Sequence, residues 1–364
     1  MQLIKTSRSR LLYLDWLRGF AAIIMLQGHV FHSFLKNGLR DSGAYVFSQF
    51  VGGMPPAIFL FLTGVTLAFL MDSGERKSLP AGTRVLAAVR RAGYLFAIAF
   101  LFRLQLWIFA RPESPWTDLL KVDILNCMGF SILLMSGMAV FRTAQRVRYC
   151  AALGLGIAVV SPLVSSVYWA WLPAAVRGYV APDYNAFSFF PWGAYLVFGM
   201  SAGSLLRMLR REHLDRAMQW SALLGFALVV GAYYVSNLPY SLYPNADFWL
   251  NSPAQILIKL GVMLVMLPLA FVWTEYGARP GWSFVRQFGT TSLLVYWVHI
   301  ELVYGRWLWF FKNGLEISET VQAAAAIILF MLALGAAKTY RNRWIPALRE
   351  LLRPAPTPAR VPGD

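Results

Sequence analysis

The chain has 364 residues, of which 58% are hydrophobic, 15% aromatic and only 14% charged, and its formal net charge is +16. So large an apolar share excludes an ordinary soluble domain and indicates a protein that crosses a membrane several times. The basic residues are spread over alternate loops instead of one polar face, so we attribute the charge to membrane topology and not to nucleic-acid binding.

The first hydrophobic segment, residues 11–35, reads LLYLDWLRGFAAIIMLQGHVFHSFL and contains four ionisable side chains: Asp15, Arg18, His29 and His32. A charged group at membrane depth costs roughly 2.5–3.5 kcal/mol on insertion scales, so a helix that carries several must place them against protein or water. Ten residues separate Arg18 from His29, a step of about three helical turns that returns to nearly the same face roughly 16 Å further along. The pattern predicts a functional first span that is retained and not cleaved as a signal peptide.

Hydropathy along the chain predicts an all-α fold, a polytopic transmembrane helix bundle of about ten spans. The predicted spans are 11–35, 47–71, 85–109, 119–141, 149–168, 188–206, 217–236, 254–273, 290–311 and 320–338. Lys and Arg then concentrate in alternate loops, which predicts that the N- and C-termini are cytoplasmic. We expect one transmembrane domain over residues 1–345 and a Pro-rich, disordered cytoplasmic tail over residues 346–364.

Polar residues recur in the outer third of the later predicted spans. Arg103 lies in the outer third of the third span, Asp123 at the outer start of the fourth, and Glu301 in the outer third of the ninth, which also carries Tyr296 and His299. Together they predict a polar, hydrated cavity open to the outside, and all of this set except Asp123 are candidate substrate-binding residues. The alternatives are snorkelling of the charged groups to the lipid headgroups and an interhelical hydrogen bond for His299.

Other kinds of site find little support in the sequence. The two cysteines, Cys127 and Cys150, fall in or beside predicted helices, with no C-x-x-C pair and no His/Cys ligand spacing, so neither a disulfide nor a metal site is expected. The alternative function is a transporter or flippase for a small polar or glycan substrate, because intramembrane charges and a hydrated cavity serve those proteins too. The lack of an evident internal repeat speaks against it, and a catalytically silent membrane scaffold is a third alternative.

Five motifs occur in a fixed order along the chain. They are LDWLRGFAAIIMLQGH at 14–29, Pro-x-x-Phe-Leu-Phe-Leu-Thr-Gly at 56–64, Val-Asp-Ile-Leu at 122–125, Phe-Pro-Trp-Gly with Phe-Gly-Met at 190–200, and Leu-Val-Tyr-Trp-Val-His at 294–299. In this order they resemble the transmembrane acyltransferase superfamily, which includes the catalytic domain of heparan-α-glucosaminide N-acetyltransferase and the acyltransferase family 3 enzymes. The FLFLTG and FPWGAYLVFGM stretches are similar to the first branch, whereas Arg, ten residues, then His is the pattern of the second.

The resemblance implies transfer of an acyl group, usually acetyl from acetyl-CoA, to an oxygen or nitrogen of an extracytoplasmic acceptor that is commonly a sugar. The Arg and His essential in the family map onto Arg18 and His29. His32 is a second candidate, because the proposed catalytic His of the heparan enzyme lies later, in the loop after the span. A bacterial inner membrane is the simplest setting for such a protein. The expected partners are acyl-CoA as co-substrate, a glycan or other small acceptor, and membrane lipid, with no metal and no nucleic acid.

The residue types also suggest how such a reaction runs. Guanidinium groups suit phosphate recognition, and the candidates for the nucleotide end of acyl-CoA are Arg18, its neighbour Asp15, Arg90 and Arg91. At the outer end, neutral His29 would take a proton from the acceptor hydroxyl or amine as it attacks the thioester, with Asp123 orienting the imidazole. Direct transfer and a covalent acetyl-histidine intermediate both stay open, as does the choice between His29 and His32.

Overall fold

The computed structural model describes residues 11–110, 113–184, 186–243, 246–277, 281–342 and 344–346. Within these residues the chain forms thirteen α-helices and no β-strand. The all-α prediction is therefore confirmed. Apart from residue 346, the predicted tail lies outside the described residues, as do residues 1–10.

The helices are numbered in chain order. They are α1 Leu12–Phe34, α2 Gly43–Gly52, α3 Pro55–Arg76, α4 Ala81–Ala110, α5 Ile124–Met135, α6 Thr143–Ser166, α7 Ala174–Val180, α8 Phe189–Met208, α9 Leu214–Ser236, α10 Pro253–Val272, α11 Phe284–Thr290, α12 Ser292–Tyr304 and α13 Ile317–Thr339. A helix occupies each of the ten predicted spans. Seven helical stretches among the described residues are long and apolar enough to cross a membrane, judged by length and composition, and α5 and α12 are shorter apolar helices.

Helix α1 is long enough to cross a bilayer but is not among those seven stretches. Segment 11–35 contains Asp15, Arg18, His29 and His32, and the expectation that it is apolar enough to span a bilayer is not met by length and composition alone. Most of its residues are buried, and it contacts α2, α3, α10, α11, α12 and α13. Because other helices surround it, α1 sets its polar groups against protein, as a charged intramembrane helix must.

Contacts between helix termini define two ends of the bundle. The C-terminal parts of α1 and α12 meet where His29 contacts His299, and we call this the His29 end. The C-termini of α3 and α8 meet the N-terminus of α6 around Asp72, and we call this the Asp72 end. The long helices run between these two ends, in alternating directions along the chain.

Glycines bring several helix backbones into direct contact. A Cβ added to Gly64 of α3 would lie 1.9 Å from the Leu196 carbonyl oxygen of α8, and one added to Gly199 would lie 2.0 Å from the Phe61 oxygen. At the crossing of α1 with α11, a Cβ on Gly19 would lie 1.7 Å from the backbone oxygen of Val285 in α11. Small residues permit this close approach in membrane helix pairs, and here they fix the positions of α1 and α3.

A buried ionic cluster joins three helices at the Asp72 end. Asp72 accepts hydrogen bonds from Arg207 Nε (2.6 Å) and Thr143 Oγ1 (3.1 Å). Glu75 accepts from the Thr143 backbone N–H (2.9 Å) and from Nη2 of Arg146 (3.3 Å), whose side chain is fully buried. The cluster therefore holds α3, α6 and α8 together at the end opposite His29.

Candidate active site

A cavity of about 560 Å³ lies at the His29 end, between α1, α3, α4, α5 and α12. Five residues singled out in the sequence line it: His29, Arg103, Asp123, Tyr296 and Glu301. They come from α1, α4, α12 and the residue that precedes α5. The fold thus brings together, in one hollow, polar residues that lie far apart along the chain. We call this hollow the His29 cavity.

The imidazole of His29 is hydrogen-bonded to a second imidazole. His29 Nδ1 lies 2.9 Å from His299 Nε2, and the two rings are stacked with centroids 5.1 Å apart. On its other side His299 Nδ1 lies 2.7 Å from the carbonyl oxygen of Val295. A carbonyl only accepts, so His299 Nδ1 carries a proton. With His299 neutral, its Nε2 accepts and His29 Nδ1 donates, which leaves the lone pair of His29 on Nε2.

The two histidines differ in their access to the cavity. His29 is half-buried and lines the cavity, whereas His299 is fully buried behind it. The backbone beside His29 is held by α2, since Gln49 Nε2 donates to the Gly28 carbonyl oxygen at 3.0 Å and a Cβ on Gly28 would lie 3.1 Å from the Gly52 Cα. The nitrogen that carries the lone pair therefore belongs to the ring that a substrate can reach.

His32 occupies a different place from His29. Its side chain is exposed and is not among the residues that line the His29 cavity. Its Nδ1 lies 3.2 Å from the Tyr304 hydroxyl, and its carbonyl accepts from Arg40 Nη2 at 2.9 Å. Of the two candidate bases, only His29 lines this cavity.

Asp123 is held by the start of α5. Its Oδ1 accepts hydrogen bonds from the backbone N–H groups of Leu125 and Asn126, both at 3.0 Å, as a helix N-cap does. Its Oδ2 lies 3.3 Å from Arg103 Nε. Asp123 shares the cavity with His29, but the atom that contacts His29 Nδ1 belongs to His299. The place beside His29 Nδ1 that we expected Asp123 to occupy is therefore occupied by His299, which we had expected to bind substrate.

Glu301 is positioned by two residues that the sequence did not single out. Gln105 Nε2 donates to Glu301 Oε1 at 3.2 Å, and Trp297 Nε1 donates to Gln105 Oε1 at 2.5 Å. The other carboxylate oxygen, Glu301 Oε2, is buried and has no hydrogen-bond partner in the described part of the chain, like Asn126 Oδ1. Buried acceptors of this kind need a donor from a ligand or from water. A lone Gln in an apolar segment was the sole sequence signal for Gln105.

The segment that follows α12 forms one side of the cavity. Lys312 lines the cavity and donates from Nζ to the Tyr304 carbonyl oxygen at 2.7 Å, and desolvation lowers the pKa of its ammonium group. Outside the cavity, Lys36 pairs with Glu316 at 2.5 Å, and this hydrogen bond raises the pKa of Lys36. These contacts tie the segment to the ends of α1 and α12.

The residues expected at the nucleotide end lie on α1 and α4 and do not line the His29 cavity. Arg18 Nη1 pairs with Asp15 Oδ1 at 3.2 Å, and Asp15 is buried. Arg91 is exposed and donates from Nη2 to Thr66 Oγ1 of α3 at 3.4 Å, and Arg90 is also exposed. The guanidinium groups are thus distributed over two helices.

Cys127 and Cys150 are buried free thiols in α5 and α6. The described ranges contain no group of three or more His, Cys, Asp or Glu side chains suited to a metal ion.

A family model described as "Heparan-alpha-glucosaminide N-acetyltransferase, catalytic" matches residues 10–236. This range is 227 of the 364 residues and includes α1 to α9, with His29, Arg103 and Asp123. The residues that α12 adds to the site, including His299 and Glu301, follow the matched range. No curated protein matches the chain.

Proposed function

The chain belongs to the heparan-alpha-glucosaminide N-acetyltransferase catalytic family, and from this membership we propose that it transfers an acetyl group from acetyl-CoA to an acceptor held in the His29 cavity. The family supports an acetyltransferase-like function of a membrane protein in general. The observation that carries the finer proposal is the contact of His29 Nδ1 with His299, which leaves a basic nitrogen on a side chain that lines a cavity.

In the proposed reaction His29 is the general base. The acceptor oxygen or nitrogen attacks the thioester carbonyl carbon while its proton passes to His29 Nε2. The C–S bond then breaks, and the CoA thiolate leaves and takes up that proton from the His29 imidazolium. Throughout, His29 Nδ1 keeps its hydrogen bond to His299, so the ring stays in the orientation that the transfer requires.

The polar groups of the cavity support an acceptor that is rich in donors, such as the hydroxyl and amine groups of a sugar. Glu301 Oε2 is a buried acceptor without a hydrogen-bond partner in the described residues, and the contact of Asp123 Oδ2 is the ion pair with Arg103 Nε at 3.3 Å. A hydroxyl or ammonium group of the acceptor supplies the donor that Glu301 Oε2 lacks. Arg103 and Tyr296, which line the same cavity, offer donors to the acceptor's own oxygens. We assign the acceptor to the extracytoplasmic side of a bacterial inner membrane, as a glycan.

For the donor we propose that Arg18, held by Asp15, and the exposed Arg90 and Arg91 serve the phosphates of CoA. The alternation of Lys and Arg supports a position of these residues in the cytoplasmic half of the bundle. The pantetheine arm would then cover about 16 Å, the distance that eleven helical residues span, to bring the thioester to His29.

The test uses purified protein in detergent with radiolabelled acetyl-CoA. Wild type is expected to bind acetyl-CoA and to hydrolyse or transfer its acetyl group, and His29→Ala to keep binding while turnover falls by about 10²–10⁴-fold. The matched control is His213→Ala, because His213 is an exposed histidine at the Asp72 end. Absence of acetyl-CoA binding in wild type would contradict the enzyme and favour the transporter or flippase. Label that stays on the protein after denaturation at neutral pH and is released by hydroxylamine would indicate an acetyl-histidine route.

A further inference from the structure

A second cavity of about 690 Å³ adjoins the His29 cavity. Lys121 and Val122 line both hollows, so these two residues form the boundary between them. The second cavity is enclosed by the turn at Trp116–Leu120, the C-terminal end of α6 and helix α7. Both cavities therefore lie at the His29 end and are neighbours.

Helix α7 is fixed against the boundary of the two cavities. The ring of Tyr179 packs against Phe130 (5.2 Å) and Phe96 (6.2 Å), measured between ring centroids. A Cβ added to Gly178 would lie 3.2 Å from Cγ2 of Val122, so the helix approaches that residue closely. The second cavity is thus a preformed hollow of the fold and not a gap beneath a loose loop.

Aromatic and cationic side chains line the second cavity. Trp169 is fixed by a hydrogen bond from Nε1 to the Val164 carbonyl oxygen at 2.8 Å, and Trp116 is 66% exposed. Arg177 is exposed and its guanidinium has no ion pair or hydrogen bond among the described residues, whereas Lys121 pairs with Asp118 at 2.8 Å. Tryptophan faces offer apolar area to the faces of sugar rings, and a guanidinium donates to hydroxyl, carboxylate or phosphate oxygens.

A belt of tryptophans at the membrane surface is the ordinary explanation of such residues. Belt residues face lipid headgroups, whereas Trp116 and Trp169 line a hollow together with Lys121 and Arg177. That hollow borders the cavity in which His29 lies. The position of the two tryptophans is therefore that of a binding subsite.

We propose that the second cavity binds the adjacent sugar unit of an acceptor that is at least a disaccharide. This inference rests on the proposed function, because the reacting hydroxyl or amine of the same molecule occupies the His29 cavity. The chain of sugar units crosses the boundary at Lys121 and Val122. Trp116 and Trp169 stack on the second unit, and Arg177 donates hydrogen bonds to its oxygens.

The test measures acetyl transfer to two series of probes, glucosamine oligomers and glucose oligomers of one to four units. The expected kcat/KM rises from the monomer to the dimer. Trp116→Ala and Arg177→Gln are each expected to lower the dimer-to-monomer ratio of kcat/KM by about tenfold, the size of one lost stacked ring or charge-assisted hydrogen bond. Trp309→Ala is the matched control, since Trp309 is 69% exposed and lines neither cavity, and its ratio is expected to equal that of wild type.

Three results separate the inference from the proposed function. A kcat/KM that does not change with length, or variants that lower monomer and dimer alike, would overturn the second subsite and leave acetyl transfer intact. The second subsite would also be overturned if the protein transferred acetyl to no oligosaccharide of either series but still hydrolysed acetyl-CoA in a His29-dependent way. If wild type neither hydrolysed acetyl-CoA nor transferred its acetyl group, the proposed function itself would be overturned.

Discussion

At the scale of single residues, one backbone carbonyl distinguishes two otherwise identical imidazoles. The Val295 oxygen accepts from His299 Nδ1, and this contact sets which nitrogen of His29 is basic. In a Ser-His-Asp triad a carboxylate has this place and stabilises the imidazolium as well. A neutral imidazole orients its partner but adds no negative charge. We therefore expect the proton on His29 to pass quickly to the leaving thiolate.

His299 is a positioning residue whose removal tests this pairing. His299→Phe keeps a ring of similar size but cannot accept from His29, so we expect kcat to fall by about 10²-fold with little change in the KM for acetyl-CoA. His299→Gln, whose amide oxygen can accept, is expected to recover part of the loss. Steady-state kinetics of both variants measure the effect. A kcat of His299→Phe within twofold of wild type, or equal kcat values for both variants, would contradict the positioning role.

The sequence indicated towards which end of its helix a polar side chain lies, but not which residues of other helices it contacts. It predicted one outer cavity from Asp123 and Glu301, with His29 at the outer end of the first span, and all three line the His29 cavity. The pairing of His29 with His299 crosses 270 residues. One sequence shows how deep a side chain lies along its helix but not which other helix it faces, so this contact and the support of Glu301 by Gln105 could not be predicted.

At the scale of elements, two motifs that carry the family resemblance turn out to be one packing contact. Gly64 ends the motif at 56–64 and Gly199 lies in the motif at 190–200. In the structure Gly64 abuts Leu196, and Gly199 abuts Phe61. The motifs thus hold α3 against α8, and α3 in turn contributes one wall of the His29 cavity.

The crossing of α3 and α8 leaves no room for an added methyl group. Gly64→Ala would place its Cβ 1.9 Å from the Leu196 oxygen, so the helices must separate, at a cost of about 1–3 kcal/mol. We expect a clear drop in the apparent Tm in detergent. The control is Gly93→Ala on α4, where nothing lies within 4 Å of the added Cβ. Equal Tm values for the two variants would contradict the backbone contact.

Helix existence was easier to predict than helix breaks. A helix occupies every predicted span, but the second span is divided into α2 and α3 between Gly52 and Pro55. Pro55 and Pro56 lack the backbone N–H that continues a helix, so α3 begins anew there. The short helices α7 and α11 lie in segments without a hydropathy signal of a span, which is why hydropathy did not predict them.

At the scale of the whole molecule, the two ends of the bundle differ in structure. The Asp72 end is closed by the ionic cluster of α3, α6 and α8, whereas the His29 end holds two adjoining cavities. Arg146 and Arg207 lie between predicted spans, among the Lys and Arg residues whose alternation predicts the topology. Only the fold shows that Arg146 is fully buried and that Arg207 binds Asp72.

Removing the central carboxylate tests the role of this cluster. Asp72→Asn leaves Arg207 and Arg76 without the charge that they pair with, and breaking a buried pair costs about 3–5 kcal/mol. We expect a lower apparent Tm and faster loss of acetyl-CoA turnover on heating, with unchanged kcat before heating. Glu212→Gln is the control, because Glu212 forms only exposed pairs. A Tm of Asp72→Asn equal to that of the control would show that the cluster does not stabilise the fold.

The central claim is that His29, and not its neighbour His32, is the base of an acetyl transfer. The most direct measurement is the single-turnover rate of acetyl transfer or hydrolysis at saturating acetyl-CoA, for wild type, His29→Gln and His32→Gln. The account predicts a fall of about 10²–10⁴-fold for His29→Gln, with the affinity for acetyl-CoA preserved, and a rate near wild type for His32→Gln. A His29→Gln rate within tenfold of wild type, or the larger loss in His32→Gln, would contradict it.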